Sequence, residues 1–289
     1  MDKHPRSRTR RAITGVATAL PLALGLGAVA VTGRSPSRTP RVVAPLAPHI
    51  LAQGTGSEAV SNASCPFVGT HSVNHHRVPY TADSDEGLRN EAKRHVPAAG
   101  TPRTLTLDDF ARLQRDVGDA SAHKTPFTPT RAALHQLAIA GGEVSEGDLV
   151  QLVAFVVIAR GQHAESVNCG GSDGADIHIS LAAVNGDEFS GIVAEMIPQL
   201  PRPAGWDAGT LNRINDEGLP VLVVGGLTYD NEHLVNKDKT HIKSGQPKRM
   251  SLWEIHPITE FYVCVDAHGC DPAVHDQWIA LADWADANP

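Results

Sequence analysis

Aromatic residues make up only 4% of this 289-residue sequence, and acids outnumber bases by 32 to 25. Both shortages work against nucleic-acid binding, which relies on stacking platforms and a basic groove. There is no H-E-x-x-H pair for zinc and no G-x-x-x-x-G-K-[ST] phosphate loop. The four cysteines include no C-x-x-C, so a redox role has no support and a stapling role is expected.

The first segment does have a recognisable purpose. "MDKHPRSRTRR" is basic, "AITGVATALPLALGLGAVA" is apolar and rich in small residues, and Ala28-Val29-Ala30 supplies a small-x-small cleavage pattern. We read residues 1–30 as a signal peptide, with Arg10-Arg11 matching a twin-arginine export pair. An uncleaved anchor is the alternative, although Pro21 and the many glycines and alanines make a poor permanent span. No cysteine follows closely enough to carry a lipid. Residues 1–30 hold five basic side chains and one acid, a net +4, so their removal takes the chain from −7 to −11. An exported destination, extracellular or in the cell envelope, makes disulfides expected, with Cys264–Cys270 and Cys65–Cys169 the favoured pairing. The membrane would be met only through the export signal.

Residues 31–60 are rich in Pro, Ser, Gly and Ala and read as a flexible linker. Residues 61–142 read as a loop followed by a small helical cap. "HSVNHHR" (71–77) is taken as a solvated loop. "DEGLRNEAKRH" is taken as a helix ended by Pro97, and "LDDFARLQRDV" as a helix opened by a Thr106/Asp109 capping box. "TRAALHQLAIA" (130–140) is taken as a third, stopped by Gly141-Gly142.

After Gly142 the period changes to that of strands. Strands are expected at 148–160, 176–184, 190–198, 219–230 and 252–265, with a short helix at 207–218 ended by Gly218. Three strands, a helix and two strands is the order of the OB-fold. The expected fold is therefore mainly β with a helical N-terminal cap. Its centre is a five-stranded OB-like Greek-key barrel over 143–271, with the helix between strands 3 and 4 and a C-terminal tail at 272–289. Val274, Trp278, Leu281 and Trp284 of the tail form an apolar stripe that can lie against the barrel. The strings "SEGDLVQL", "SVNCGG", "DIHI", "VAEMIPQ", "TYDNEH" and "GQPKRMSLWEIHPIT" resemble an exported bacterial family of uncharacterised proteins with an OB-fold-like barrel. The resemblance spans roughly residues 65–272, implies that fold, and carries no activity.

Strand alternation gathers one polar constellation. Ile255 points to the core, so Glu254 and His256 point away, as do Asp176 and His178 one strand further round. Glu195 shares that face, and Asp230 and His233 lie where the fourth strand runs into its loop. Pro257 restrains His256 to extended backbone and marks an unpaired rung. His178, Glu195, Asp230, His233, Glu254 and His256 are therefore the candidate site. Imidazoles with carboxylates suit a divalent metal, with His178, Glu195 and His256 as candidate ligands, or a hydrogen-bonded polar face that satisfies itself. Asp173 and Asp176 are weaker candidates for calcium, and Lys237, Lys239, Lys243, Lys248 and Arg249 form a basic loop able to meet an anion.

The leading functional reading is an exported binding protein that takes a small ligand or a cell-envelope partner. The alternative is a metal-dependent, phosphoesterase-like hydrolase. Oligonucleotide binding ranks third.

Overall fold

Residues 65–117, 131–162, 165–170, 175–233, 235, 248–266 and 269–289 are described by the computed structural model. The leader, the linker, Asp173, Lys237, Lys239 and Lys243 lie outside them. The described chain opens with a hairpin of β1 (Thr70–Val73) and β2 (His76–Pro79). Its two-residue turn places Asn74 and His75 at φ 47° and 67°, the paired left-handed conformation that follows the twist of a tight hairpin. The expected solvated loop is thus a hairpin, though β2 is exposed throughout.

Helix α1 (Asp85–Lys93) starts where the Ser84 hydroxyl accepts the Gly87 N–H. Strand β3 (Arg103–Leu105) precedes α2 (Leu107–Val117). At that junction the Thr106 hydroxyl accepts the Asp109 N–H at 3.1 Å while the Asp109 carboxylate accepts the Thr106 N–H at 3.0 Å. The capping box is therefore reciprocal, with Asp doing the work of the usual Glu.

The helix expected over 130–140 does not form. A 3-10 turn at Arg131–Ala133 is followed by β4 (Leu137–Ile139) and β5 (Gly142–Val144), which pair as a second hairpin. Gln136 turns to φ 55°, which ends any helical run, and Leu137 and Ile139 then alternate as a strand. The free carboxylate oxygen of Asp109 accepts the Ala140 N–H at 3.0 Å and ties this hairpin to α2.

The remaining elements are β6 (Leu149–Gly161), β7 (Ile177–Ala182), β8 (Ile192–Met196), α3 (Ala208–Glu217), β9 (Pro220–Tyr229), β10 (Trp253–Cys264), β11 (Trp278–Ala280) and α4 (Leu281–Ala287). Asp207 caps the start of α3, and Gly218 ends it at φ 66°. The first half of β6 pairs with β9 and its second half with β7. β7 pairs with β8, β8 meets β10 in parallel at Ala194↔Ile255, and β10 pairs with β9. The ring β6–β7–β8–β10–β9 is a closed five-stranded barrel. Ile179, Leu181, Ala194, Val223, Ile255 and Phe261 belong to its buried core, together with Phe110 and Leu113 of α2.

The His256–Pro257 peptide is cis, and the β9–β10 register shifts between Ile255 and Ile258. Gly225 makes this crossing possible, because a Cβ there would stand 2.3 Å from the Pro257 carbonyl oxygen.

The tail divides its apolar residues. Leu281 and Trp284 join the main core, Trp278 packs with Leu222, Val224 and Cys264 on the barrel's outer surface, and Val274 stays exposed. Cys65–Cys169 and Cys264–Cys270 are both disulfides. Among the described residues no helix is long and apolar enough to cross a membrane.

Candidate functional site

Register brings the polar residues together. His178 of β7 lies directly across from Glu195 of β8, and the Ala194↔Ile255 bridge sets Glu254 and His256 of β10 beside that glutamate. On the other side of β10, Glu254 pairs with Thr228, two residues before Asp230. The six candidate residues consequently form one linked cluster.

The contacts run in sequence through that cluster. Nε2 of His178 lies 3.0 Å from Glu195 Oε1 and 3.1 Å from Glu165 Oε1, at the distance of an ion pair but without the alignment of a hydrogen bond. The other oxygen of Glu195 lies 2.9 Å from His256 Nε2, likewise at ion-pair distance without hydrogen-bond alignment. Asp230 pairs with the His233 ring. Glu254 pairs with the Arg249 guanidinium, whose Nη1 also reaches Asp230 at 3.6 Å.

Lys93, at the C-terminal end of α1, joins the two halves. Its ammonium lies 3.4 Å from Asp230, 3.8 Å from Glu195 and 3.8 Å from Glu254. Glu195, Asp230, Glu254, His256 and Arg249 are all fully buried, and Lys93 nearly so. A face pointing away from the barrel core is here a second, polar interior.

One sequence expectation needs correction. Arg249 is not a solvated anion-binding residue. Arg249 is fully buried and neutralises Glu254, while Lys248 pairs with Glu188 at 3.1 Å. The expected metal trio of His178, Glu195 and His256 meets at Glu195, and a second set of ligand atoms lies beside it. His256 stands on the far oxygen of Glu195, whereas the ligand atoms of Glu165, Asp176, His178 and Glu195 all lie within 4.8 Å of one another.

Asp176 is the unusual member. It is fully buried, and its carboxylate oxygens have no well-aligned hydrogen bond among the described residues, although the Asn168 amide lies near enough to pull its pKa down. One nitrogen of the nearby Arg202, Nη2, donates to the carbonyls of Ala175 and Met196 at 2.8 and 2.6 Å, and its charge is felt at Asp176. Glu165 comes from the turn that Cys169 staples to Cys65.

The electrostatics divide the cluster. Burial, with the charges of Glu195 and Glu165, pushes the Asp176 carboxyl well above its ordinary value. Burial alone would lower the His178 imidazolium, but Glu195 and Glu165 overturn that and lift it to about 10. Burial would also raise Glu195 and Asp230. His178 and Lys93 hold the first well below the usual range, and His233 and Lys93 hold the second there. Burial carries Glu254 up to about 7 against the pull of Lys93. The ammonium of Lys93, which burial would discharge, is kept charged by Asp230, Glu195 and Glu254.

The Asp230–Glu254 half thus holds its own cations, Lys93 and Arg249. The Glu165–Asp176–Glu195 half shares Lys93 and has His178, held protonated by its two glutamates, with the charges of Arg94 and Arg202 felt at Asp176. The ligand atoms of this half are near enough to one another to hold a metal ion. The sequence missed Lys93 and Glu165: a lysine in a mixed-charge helix reads as solvated, and only the nearby Cys169 hints that Glu165 is fixed. No protein-family model, curated protein or solved structure matches this chain.

Proposed function

We propose that this is an exported, non-catalytic binding module of OB-like architecture, in which Glu165, Asp176, His178 and Glu195 hold a divalent cation inside the wall. The observation that carries this reading is Asp176: a carboxylate with no exposure and no well-aligned hydrogen bond among the described residues, sharing a 4.8 Å neighbourhood with two more carboxylates and an imidazole. Burying the charged form is strongly unfavourable, so this carboxyl keeps its proton, as its raised pKa indicates, unless a metal ion takes the proton's place among these oxygens. Three oxygen donors and one imidazole nitrogen suit zinc, manganese or ferrous iron.

The ring order β6–β7–β8–β10–β9, the parallel β8–β10 contact and α3 between β8 and β9 support the OB-like assignment. Reading α1 and α2 as an N-terminal cap is supported by Lys93 and by the α2 side chains in the core. The basic-apolar leader and the two disulfides support export and membership of the exported family. Burial of the cluster weighs against the hydrolase reading, which needs substrate at the metal. The acidic balance weighs against oligonucleotides.

Elemental analysis of the purified mature protein tests the cation reading. Near-stoichiometric divalent metal is expected, together with a lower melting temperature in chelator. Asp176→Asn should lose the metal while folding. Metal-free protein whose melting is indifferent to both chelator and added zinc or manganese would overturn it.

A further inference from the structure

A second recess, independent of the buried cation centre, lies on the opposite kind of surface. Outward-facing residues of a barrel are ordinarily polar, yet on β9 they are Leu222 and Val224, only 4% and 3% exposed. The register sets Glu260 and Gln151 on either side of Val224, and Tyr262 and Val153 on either side of Leu222. The segments 96–102 and 272–278 rise on two sides of this patch and leave a recess of about 370 Å³, within the range of small-molecule sites. The Cys264–Cys270 disulfide and the Trp278 indole N–H, which donates to the Asp271 carbonyl at 2.8 Å, fix the second wall.

The polar groups of the lining are few and mostly occupied. Gln151 donates to Thr104 and Thr259 to the Val224 carbonyl. Among the described residues Glu260 is the one carboxylate of the lining, His275 also borders the space, and no lysine or arginine does. One Glu260 oxygen accepts the Tyr262 hydroxyl, which orients the carboxylate, and no hydrogen bond to its other oxygen occurs among the described residues. The rings of Tyr262 and Trp278 border the same space, and aromatic faces favour cations.

We propose that this recess is a binding site for a small organic cation: a primary amine with an apolar or aromatic body, its ammonium on Glu260 and its body over Leu222, Val224 and Trp278. An anionic ligand of the same shape would meet an uncompensated carboxylate, so charge sets the specificity and the apolar floor supplies the affinity.

Phenethylamine, phenethyl alcohol and phenylacetate, titrated into the mature chain and followed by amide and indole NMR shifts, test the site with one shape and three charges. The amine should bind saturably, shift residues 259–262 and the Trp278 indole, and exceed phenylacetate by about tenfold. Glu260→Gln should weaken the amine by about fivefold, the scale of one partly exposed ion pair, and leave the alcohol unchanged. Thr101→Trp, on the exposed lip, should block all three while the melting temperature holds. Equal binding of amine and acid, an unaltered amine affinity in Glu260→Gln, or shifts confined to other surfaces would each overturn the proposal. These readouts involve no metal, so they stand apart from the outcome at the cation centre.

Discussion

An ammonium group stripped of water is unstable unless anions surround it, and Lys93 has three carboxylates within 3.8 Å. Removing a single partner from such a set leaves buried charge uncompensated. Lys93→Met is therefore expected to lower the free energy of unfolding by about 3–5 kcal/mol, measured by urea denaturation. Pairing it with Glu254→Gln should recover part of that loss, because one stranded anion is removed with the cation.

Asp109 offers a residue-scale effect of pH. Burial would raise its carboxyl, but the Ala140 N–H and the Thr106 hydroxyl and N–H overcome this and hold it below its ordinary value. The folded protein then takes up this proton less readily than the unfolded chain. The stabilisation is complete at neutral pH and is lost as pH falls through the ordinary carboxylate range toward the lower folded value. Asp109→Asn should cost about 1 kcal/mol at neutral pH as a weakened cap and flatten the acid limb of a melting-temperature profile.

Among the elements, the two disulfides differ in what they constrain. Cys65 and Cys169 are 104 residues apart, and Cys264 and Cys270 are 6 apart. Loop-closure entropy grows with the enclosed length, so replacing the first pair by serine should cost roughly 4 kcal/mol and replacing the second roughly 2, compared by thermal melting. Only the first replacement should also loosen the turn carrying Glu165 and reduce the metal content expected at the cation centre.

The elements differ as well in how plainly the sequence announced them. The five barrel strands and α3 were legible to within one or two residues, because alternation and a terminal glycine mark them directly. The hairpin at 137–144 was not. Alanine and leucine suit either period over so short a span, and the decision fell to a left-handed Gln136 that no local preference requires. The hairpin at 70–79 was hidden in the same way, since its strands have no buried face to impose a pattern. Of the polar cluster, the barrel-borne members could be read from strand neighbours. Lys93 and Arg249 could not, because lysine and arginine are solvated by default and only the fold reveals an exception.

Over the whole molecule, the cluster draws on chain segments far apart in sequence: α1 at residue 93, the turn at 165, β7, β8, the end of β9 and the start of β10. The main core has the same long reach, combining α2, the barrel and the tail. Such contacts tie the small N-terminal elements to the barrel as one cooperative body, whose folding is limited by distant encounters.

The position of Lys93 has one more consequence. If the strands close before α1 docks, the wall presents an excess of acid that Arg249 and the histidines only partly offset, and arrival of Lys93 on the helix reduces it. Completion of this fold is thereby written in charge. An unfinished copy differs from a finished one by a visible anionic patch, which repels its neighbours during the interval when exposed apolar surface would otherwise draw them together.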